Sequence, residues 1–323
     1  MKSFWIKSDH GRTVLEKREV PVPQPKRGEV VVRVRAASLN RGEFLASHGH
    51  YALDVPRPAG GDAAGEVHAV GEGVAGFRPG ERVMGRARGC FAEYAAMAAE
   101  QVVPAPARLT WEQAAAVPLV FVTVHEILHL GRLRAGETLL VAGASSGVGV
   151  GCIQAAQVVG ARVIATSRSA DKLAKLKAAG LDVGIEARGG QFAEKVLEAT
   201  GGKGADLAVN LVGGGVFSEL LRALANQGRM AIVGYVDGSK KSEIDLDAVH
   251  GKRLRIYGVS NQHLTAEERA AAMRGFAREL LPAFADGRIA PLIDRVFPFD
   301  ELPAAKDYME SDAQIGKIVV RLG

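Results

Sequence analysis

Residues 138–150 read T-L-L-V-A-G-A-S-S-G-V-G-V. An apolar run, 138–142, empties into a turn carrying Gly143, Gly147 and Gly149, and a helix-like segment follows at once. Strand, glycine turn and helix start in that order make a cradle for a phosphorylated ligand. The glycines let the chain turn tightly and let its backbone approach a pyrophosphate, and the helix N-terminus adds a partial positive charge. The stretch therefore predicts an α/β nucleotide-binding unit and one half of an active site.

Downstream, the pattern alternates. Strands are expected at 162–166, 183–185, 206–211, 229–234 and 254–259, with helices such as 169–179 and 216–225 between them. Such alternation implies a parallel, doubly wound sheet. One further helix is expected over 266–284 and a last strand over 317–322. Upstream, the chain reads as β. Residues 29–37, E-V-V-V-R-V-R-A-A, and 65–70 are strand-like, and turns such as Phe77-Arg78-Pro79-Gly80 punctuate them. Short strands at turn spacing suggest a small barrel or sandwich. Thr110-Trp111-Glu112-Gln113 is a capping-box pattern that opens a helix, Pro118 breaks it, and a second helix is expected over 119–130. Domain boundaries are placed near residues 118 and 261.

Bulk properties narrow the class. With 323 residues, 47% hydrophobic and 24% charged, the chain can bury two ordinary cores and is not disordered. The formal charge of +5 is scattered, with no basic stripe interleaved with aromatics, so nucleic acid is not the expected partner. Two cysteines, Cys90 and Cys152, are too few for a disulfide framework or a four-cysteine zinc lobe. The N-terminus lacks a secretory apolar core, and the longest apolar run, 114–124, falls short of the ~20 residues of a membrane helix. A cytoplasmic protein is expected.

The end of the second strand of the α/β unit selects the nucleotide. NAD sites usually place Asp or Glu there to hold the ribose 2′-OH. This chain has Thr166-Ser167-Arg168-Ser169, with Lys172 one turn on. Hydroxyls and cations suit a 2′-phosphate, so NADPH is expected rather than NADH.

The chain as a whole resembles the zinc-independent medium-chain dehydrogenases/reductases, close to the quinone oxidoreductase (zeta-crystallin-like) group. The resemblance runs through Ala36-Ala37-Ser38-Leu39-Asn40-Arg41, Ala64-Gly65-Glu66-Val67, Phe77-Arg78-Pro79-Gly80-Glu81-Arg82-Val83, Leu133-Arg134-Ala135-Gly136-Glu137 and Ile315-Gly316-Lys317-Ile318-Val319. It implies a GroES-like β-barrel catalytic domain from 1–118 and 262–323, a Rossmann NADP-binding domain from 119–261, an active site in the cleft, and a homodimer or homotetramer joined through Rossmann sheet edges. One departure stands out. The family often has Asn-Tyr after the third Rossmann strand, where this chain has Glu186-Ala187-Arg188. The tyrosine beside the 2′-phosphate is missing, Glu186 adds negative charge, and Arg188 is placed to offset it.

In zinc-dependent relatives a cysteine stands where this chain has Asn40, and Gly-His-Glu stands where it has Gly60-Gly61-Asp62. The thiolate and the imidazole are both missing, so no catalytic metal is expected. His125-Glu126-Ile127-Leu128-His129 spells the H-E-x-x-H of zinc proteases, but its helix leads straight into the nucleotide-binding unit and no third ligand is evident. The glycine pattern also fits short-chain dehydrogenases, yet those begin with that strand and use Tyr-x-x-x-Lys. None of Tyr51, Tyr94, Tyr235, Tyr257 or Tyr308 has a lysine four positions on.

Without a metal to polarise an alcohol or ketone, hydride delivery to an electron-poor acceptor is expected: a quinone or, alternatively, an enone or alkenal. A further alternative is an NADPH-linked RNA-binding protein. Asn40 and Tyr51 are the expected catalytic residues, one donating an amide hydrogen to substrate or water, the other stacking on a quinone or relaying a proton. By resemblance Gly143, Ser146, Gly147, Val148, Gly149, Ser167, Arg168, Lys172 and Lys317 are expected at the cofactor. Gly234 is expected at the cofactor too, and Thr123, Tyr235, Ser260 and Asn261 at its nicotinamide half.

Overall fold

The structure is a computed structural model that describes residues 1–9, 12–44, 55–188, 190–261 and 263–323. The chain forms two compact units, one of Met1–Val122 with Leu264–Gly323 and one of Thr123–His263.

The first unit holds strands β1 (Lys2–Asp9), β2 (Arg12–Glu19), β3 (Glu29–Ser38), β4 (Arg57–Pro58), β5 (Asp62–Val70), β6 (Arg82–Arg86), β7 (Tyr94–Ala98) and β8 (Val102–Pro104). A one-turn helix α1 (Arg41–Phe44) follows β3, and α2 (Trp111–Ala115) begins under the expected capping box of Thr110 and Gln113. Pro118 opens the next helix, α3 (Pro118–Gly131). β3 is the hub: β5, β7 and the last strand of the chain all pair antiparallel to it. Its Val30, Val31, Val32, Ala36 and Ala37 are fully buried. Register shifts between Val31 and Val32 and between Val34 and Ala36 bend β3, as a sheet curling into a barrel requires.

The second unit is a six-stranded parallel sheet of β9 (Thr138–Ala142), β10 (Arg162–Ser167), β11 (Val183–Glu186), β12 (Ala205–Asn210), β13 (Leu224–Ile232) and β14 (Arg255–Gly258), in the order β11-β10-β9-β12-β13-β14. All five residues of β9 are buried, as in a strand covered on both faces. Its helices are α4 (Gly147–Val159), α5 (Ala170–Leu176), α6 (Ala193–Ala199), α7 (Phe217–Ala223) and α8 (Leu246–Gly251). The order reverses between β9 and β12, and ligands of such sheets bind beyond the strand ends at that switch point.

The chain then rejoins the first unit through α9 (Ala266–Glu279), α10 (Leu281–Asp286), β15 (Ile293–Pro298), α11 (Leu302–Glu310) and β16 (Lys317–Arg321). Pairing of Val319 with Ser38 and Val320 with Ala37 makes the two chain ends one sheet. Phe4 against Phe299, with centroids 5.0 Å apart, packs them into one core.

Two expected boundaries differ. The helix expected over 266–284 is broken at Leu280, because Pro282 in the first turn of α10 cannot donate the N–H that would continue α9. β13 starts at Leu224 rather than 229, and the register of its pairing with β12 shifts between Ala205 and Leu207.

Candidate functional site

In the second unit, β9 ends at Ala142 and the chain turns at Gly143, whose φ of +88° lies where glycine is favoured. Ser146 caps α4: its hydroxyl accepts from Gly149 N at 3.0 Å and donates to Gly143 O at 3.0 Å. A Cβ on Gly149 would lie 2.6 Å from Gly143 O and 2.7 Å from Ala144 O. The helix start is thus drawn against the turn, at a distance only glycine permits. Gly147 and Val148 form the first turn of α4, whose free N–H groups and dipole suit a pyrophosphate.

At the end of β10, Ser167 Oγ accepts from Ser169 N at 3.2 Å, and Ser169 caps α5 by accepting from Lys172 N at 3.3 Å. This places Arg168, exposed, and Lys172, half-buried, around one helix start. Beyond β11, Arg188 Nε donates to Glu186 Oε1 at 2.6 Å. The carboxylate expected to oppose a 2′-phosphate therefore has a cation of its own.

The nicotinamide-half candidates of this unit stand at strand ends. Gly234 follows β13, with its N–H donating to Asn210 O at 3.3 Å, and Tyr235 beside it is half-exposed. Ser260 and Asn261 follow β14, and Thr123 is buried on α3. Asn210, at the end of β12, escaped the sequence reading. It is buried, its Oδ1 accepts from Val212 N at 3.0 Å and Gly213 N at 2.9 Å, and its Nδ2 donates to Gly213 O at 3.0 Å. Asp237 accepts from Gly215 N at 2.8 Å and Ser239 N at 2.8 Å. Together they fix the Gly213–Gly214–Gly215 loop at the switch point; the triple glycine was the signal for it. His125 and His129 stack at 5.3 Å, so the H-E-x-x-H imidazoles do share a helix face.

The first unit holds a different constellation. Asn40 stands just before α1 and gives its amide to two carboxylates: Nδ2 donates to Glu43 Oε1 at 2.8 Å and to Asp62 Oδ1 at 2.9 Å. Its Oδ1 accepts from Lys317 Nζ at 2.5 Å, and Nζ also donates to Leu39 O at 2.6 Å. Both amide hydrogens of Asn40 are thus engaged, and donation to a substrate would break one of these bonds. Lys317, expected at the cofactor, has its ammonium buried in this network. Asp62, fully buried, also accepts from Ser38 Oγ at 2.9 Å and Leu119 N at 3.3 Å. Gly61 makes room for the cluster, because Glu43 Oε1 lies where a Cβ on residue 61 would stand. Glu43 Oε2 is buried and meets no donor among the described residues. Burial first, and the Asp62 charge second, push the Glu43 carboxyl up to about 8. Burial pulls the Lys317 ammonium down, against the opposing pull of Asp62 and Glu43. Tyr51 lies outside the described residues.

This donor set does not fit catalytic zinc. Asp62 already accepts three hydrogen bonds, Asn40 offers a neutral amide, and an ammonium is in contact with that amide. Thiolate and imidazole, the ligands such a site needs, are replaced by Asn40 and Gly61.

Residues 26–107 match the family described as alcohol dehydrogenase GroES-like domain, and residues 147–278 match zinc-binding dehydrogenase. Quinone oxidoreductase of Rattus norvegicus is 30% identical over 310 residues, covering 94% of this chain and 92% of that protein. A phenolphthiocerol/phthiocerol polyketide synthase of Mycobacterium tuberculosis is 31% identical over 311 residues, 95% of this chain, but the chain spans only 14% of that protein. A mycobacterial protein solved in complex with NADPH superposes over the full length of both chains with a TM-score of 0.90 at 28% identity.

Proposed function

The chain belongs to the medium-chain dehydrogenase/reductase superfamily of nicotinamide-dependent oxidoreductases, and from that premise we propose that it is an NADPH-dependent quinone reductase working without a metal. One observation carries this reading: Asn40 and Gly61 stand where the resemblance implies the thiolate and imidazole ligands of zinc-dependent relatives, and Asn40 is tied instead to Asp62 and Lys317. Lacking a Lewis acid, the protein needs an acceptor that is already electron-poor, and a quinone meets that need.

NADPH, when bound, supplies the hydride. The residues around it bind and orient. The α4 start, with Ser146, Gly147, Val148 and Gly149, takes the pyrophosphate. Ser167, Arg168 and Lys172 take the 2′-phosphate, and Arg188 neutralises Glu186. Thr123, Gly234, Tyr235, Ser260 and Asn261 flank the nicotinamide, and Tyr51 stacks on the acceptor. The protein pairs with a second copy through the β14 edge of its parallel sheet, where Ile256 is exposed.

The test is a redox panel. Purified protein is given NADPH or NADH with a quinone and with an alkenal. Quinone-dependent oxidation, with NADPH bound at least about tenfold tighter than NADH, supports the reading. Turnover of the alkenal alone makes the protein an enone reductase. Equal or tighter binding of NADH overturns the cofactor assignment, and oxidation with neither acceptor overturns the activity.

A further inference from the structure

We propose that the second unit carries a docking surface for an acidic segment of another protein, at the end of its sheet where the parallel strands start. Four arginines make this rim: Arg132 and Arg134 in the turn between α3 and β9, Arg253 just after α8, and Arg255 at the start of β14. All four are exposed, and none is ion-paired among the described residues. The carboxylates beside them are already engaged, Glu137 by Arg229 and Asp206 by Lys203. Arg229 gathers the rim. Its Nη2 donates to Arg132 O at 3.1 Å and to Glu137 Oε2 at 2.7 Å, and the same carboxylate oxygen accepts from Arg134 N at 3.0 Å. Arg255 is the register partner of Arg229 on the next strand, so both side chains leave the same face of the sheet. Gln227 N donates to Lys252 O at 2.6 Å, which brings Arg253 to the start of β13. The result is a surface of unmatched guanidinium forks, the group that pairs best with carboxylates.

The backbone points the same way. Among the described residues, four that are not glycine have positive φ, and three of them stand at this rim: Arg132 at +49°, Gln227 at +59° and Arg253 at +53°. Arg132 and Arg253 each follow the end of a helix, where the left-handed residue is usually glycine. Elsewhere the unit keeps to that habit, with Gly160 after α4 at φ +82° and Gly180 beyond α5 at +99°. Arginine at two such ends is held against its backbone preference, and strain of this kind persists where a side chain serves function. The neighbouring surface selects protein over nucleic acid. Leu130, 55% exposed, stands two residues before Arg132. Tyr257, two residues after Arg255, turns its hydroxyl inward to Ile127 O at 2.7 Å, so it offers bases no platform to stack on. Cations with an exposed leucine among them suit a peptide that alternates carboxylates and apolar side chains. The cofactor does not compete for this surface, because β9 starts at the rim and ends at the Gly143 turn, on the opposite end of the sheet.

The probe is a fluorescein-labelled peptide of repeating Glu-Glu-Leu, followed by anisotropy against the full chain; a labelled single-stranded RNA of equal length is run beside it. The test needs no turnover, so it stands apart from the reductase reading. The wild type should bind the peptide more tightly than the RNA, and saturating NADPH should not displace it. The double variant Arg132→Gly, Arg253→Gly should bind the peptide at least about tenfold more weakly. Its urea midpoint, read by circular dichroism, should stay level or rise, because glycine suits both backbone conformations. A merely structural role for these arginines would lower that midpoint. Arg134→Gln with Arg255→Gln, which leaves those helix ends untouched, should weaken the peptide likewise. Lys175→Ala with Lys177→Ala removes the same charge from α5 and should leave its affinity unchanged. Absence of peptide binding, its displacement by NADPH, or equal weakening by the α5 pair overturns the docking surface. Tighter binding of the RNA, lost in the glycine variant, overturns the protein partner in favour of a nucleic acid.

Discussion

Single residues set the two constellations by what they lack or engage. Gly149 is the sharper case for the cofactor cradle. The atoms that a methyl group would strike are the carbonyl oxygens of Gly143 and Ala144, backbone of the turn itself, and they cannot swing aside as a side chain would. Gly149→Ala should therefore push α4 off the turn and weaken NADPH binding at least about tenfold in a fluorescence titration. Gly251, the last residue of α8, is the control. A Cβ there meets nothing within 4 Å, so Gly251→Ala should leave NADPH affinity unchanged. Asn40 shows the limit of reading residues singly. The sequence marks it as the replacement for a ligand cysteine, but its three hydrogen bonds show an organiser of carboxyl groups. Glu43 was illegible: Asn followed by Glu three residues on reads as a helix cap. Only the approach of β5 and β16 turns that cap into a charged cluster.

At the scale of elements, the parallel sheet was legible because its central strands β9, β10 and β12 are mostly buried, largely apolar runs of the kind a strand covered on both faces uses. The expected 138–142 run is β9 to the residue, and the expected starts at 162 and 183 hold for β10 and β11. β13 is longer than its apolar pattern suggests, because its first half carries Asn226 and Gln227, polar residues that look like a loop. Gln227 adopts a φ of +59° and its N–H donates to Lys252 O, so at these two exposed polar residues the strand is held by backbone, between buried Leu224 and Ala225 and the apolar run that follows. Arg229 then locks β13 in place. Nε donates to Gly131 O; Nη1 to Glu137 Oε1 and Asp206 O; Nη2 to Arg132 O and Glu137 Oε2. Arg229 and Glu137 are largely buried. A lysine has three donors at a single point and cannot span this set. Arg229→Lys should cost the second unit about 1–3 kcal/mol, read as faster hydrogen exchange across Leu224–Ile232, with exchange in β3 unchanged.

For the whole molecule, Glu43 makes the first unit respond to pH in a direction opposite to ordinary carboxylates. Glu112 in the first unit and Glu219 in the second follow the common pattern. Both carboxyls lie below the usual range, because hydrogen bonds to their ionised forms outweigh burial; for Glu219 these come from Ala193 N and Phe192 N. Such groups add stability above their unfolded-state value and lose it in acid. Glu43 is the reverse. Its carboxyl is raised from 4.5 to about 8, so between those values the folded chain holds a proton that the unfolded chain has released. Its contribution is complete below about pH 4.5 and is lost as pH rises through about 8, in total a few kcal/mol. The chain carries two tryptophans, Trp5 and Trp111, and both lie in the first unit, so their fluorescence reports on that unit alone. The urea midpoint read by tryptophan should therefore fall between about pH 6 and pH 9 in the wild type. In E43Q, which has no proton to release, that alkaline fall should largely disappear. An alkaline fall as large in E43Q as in the wild type would mean that Glu43 is not the group that releases the proton.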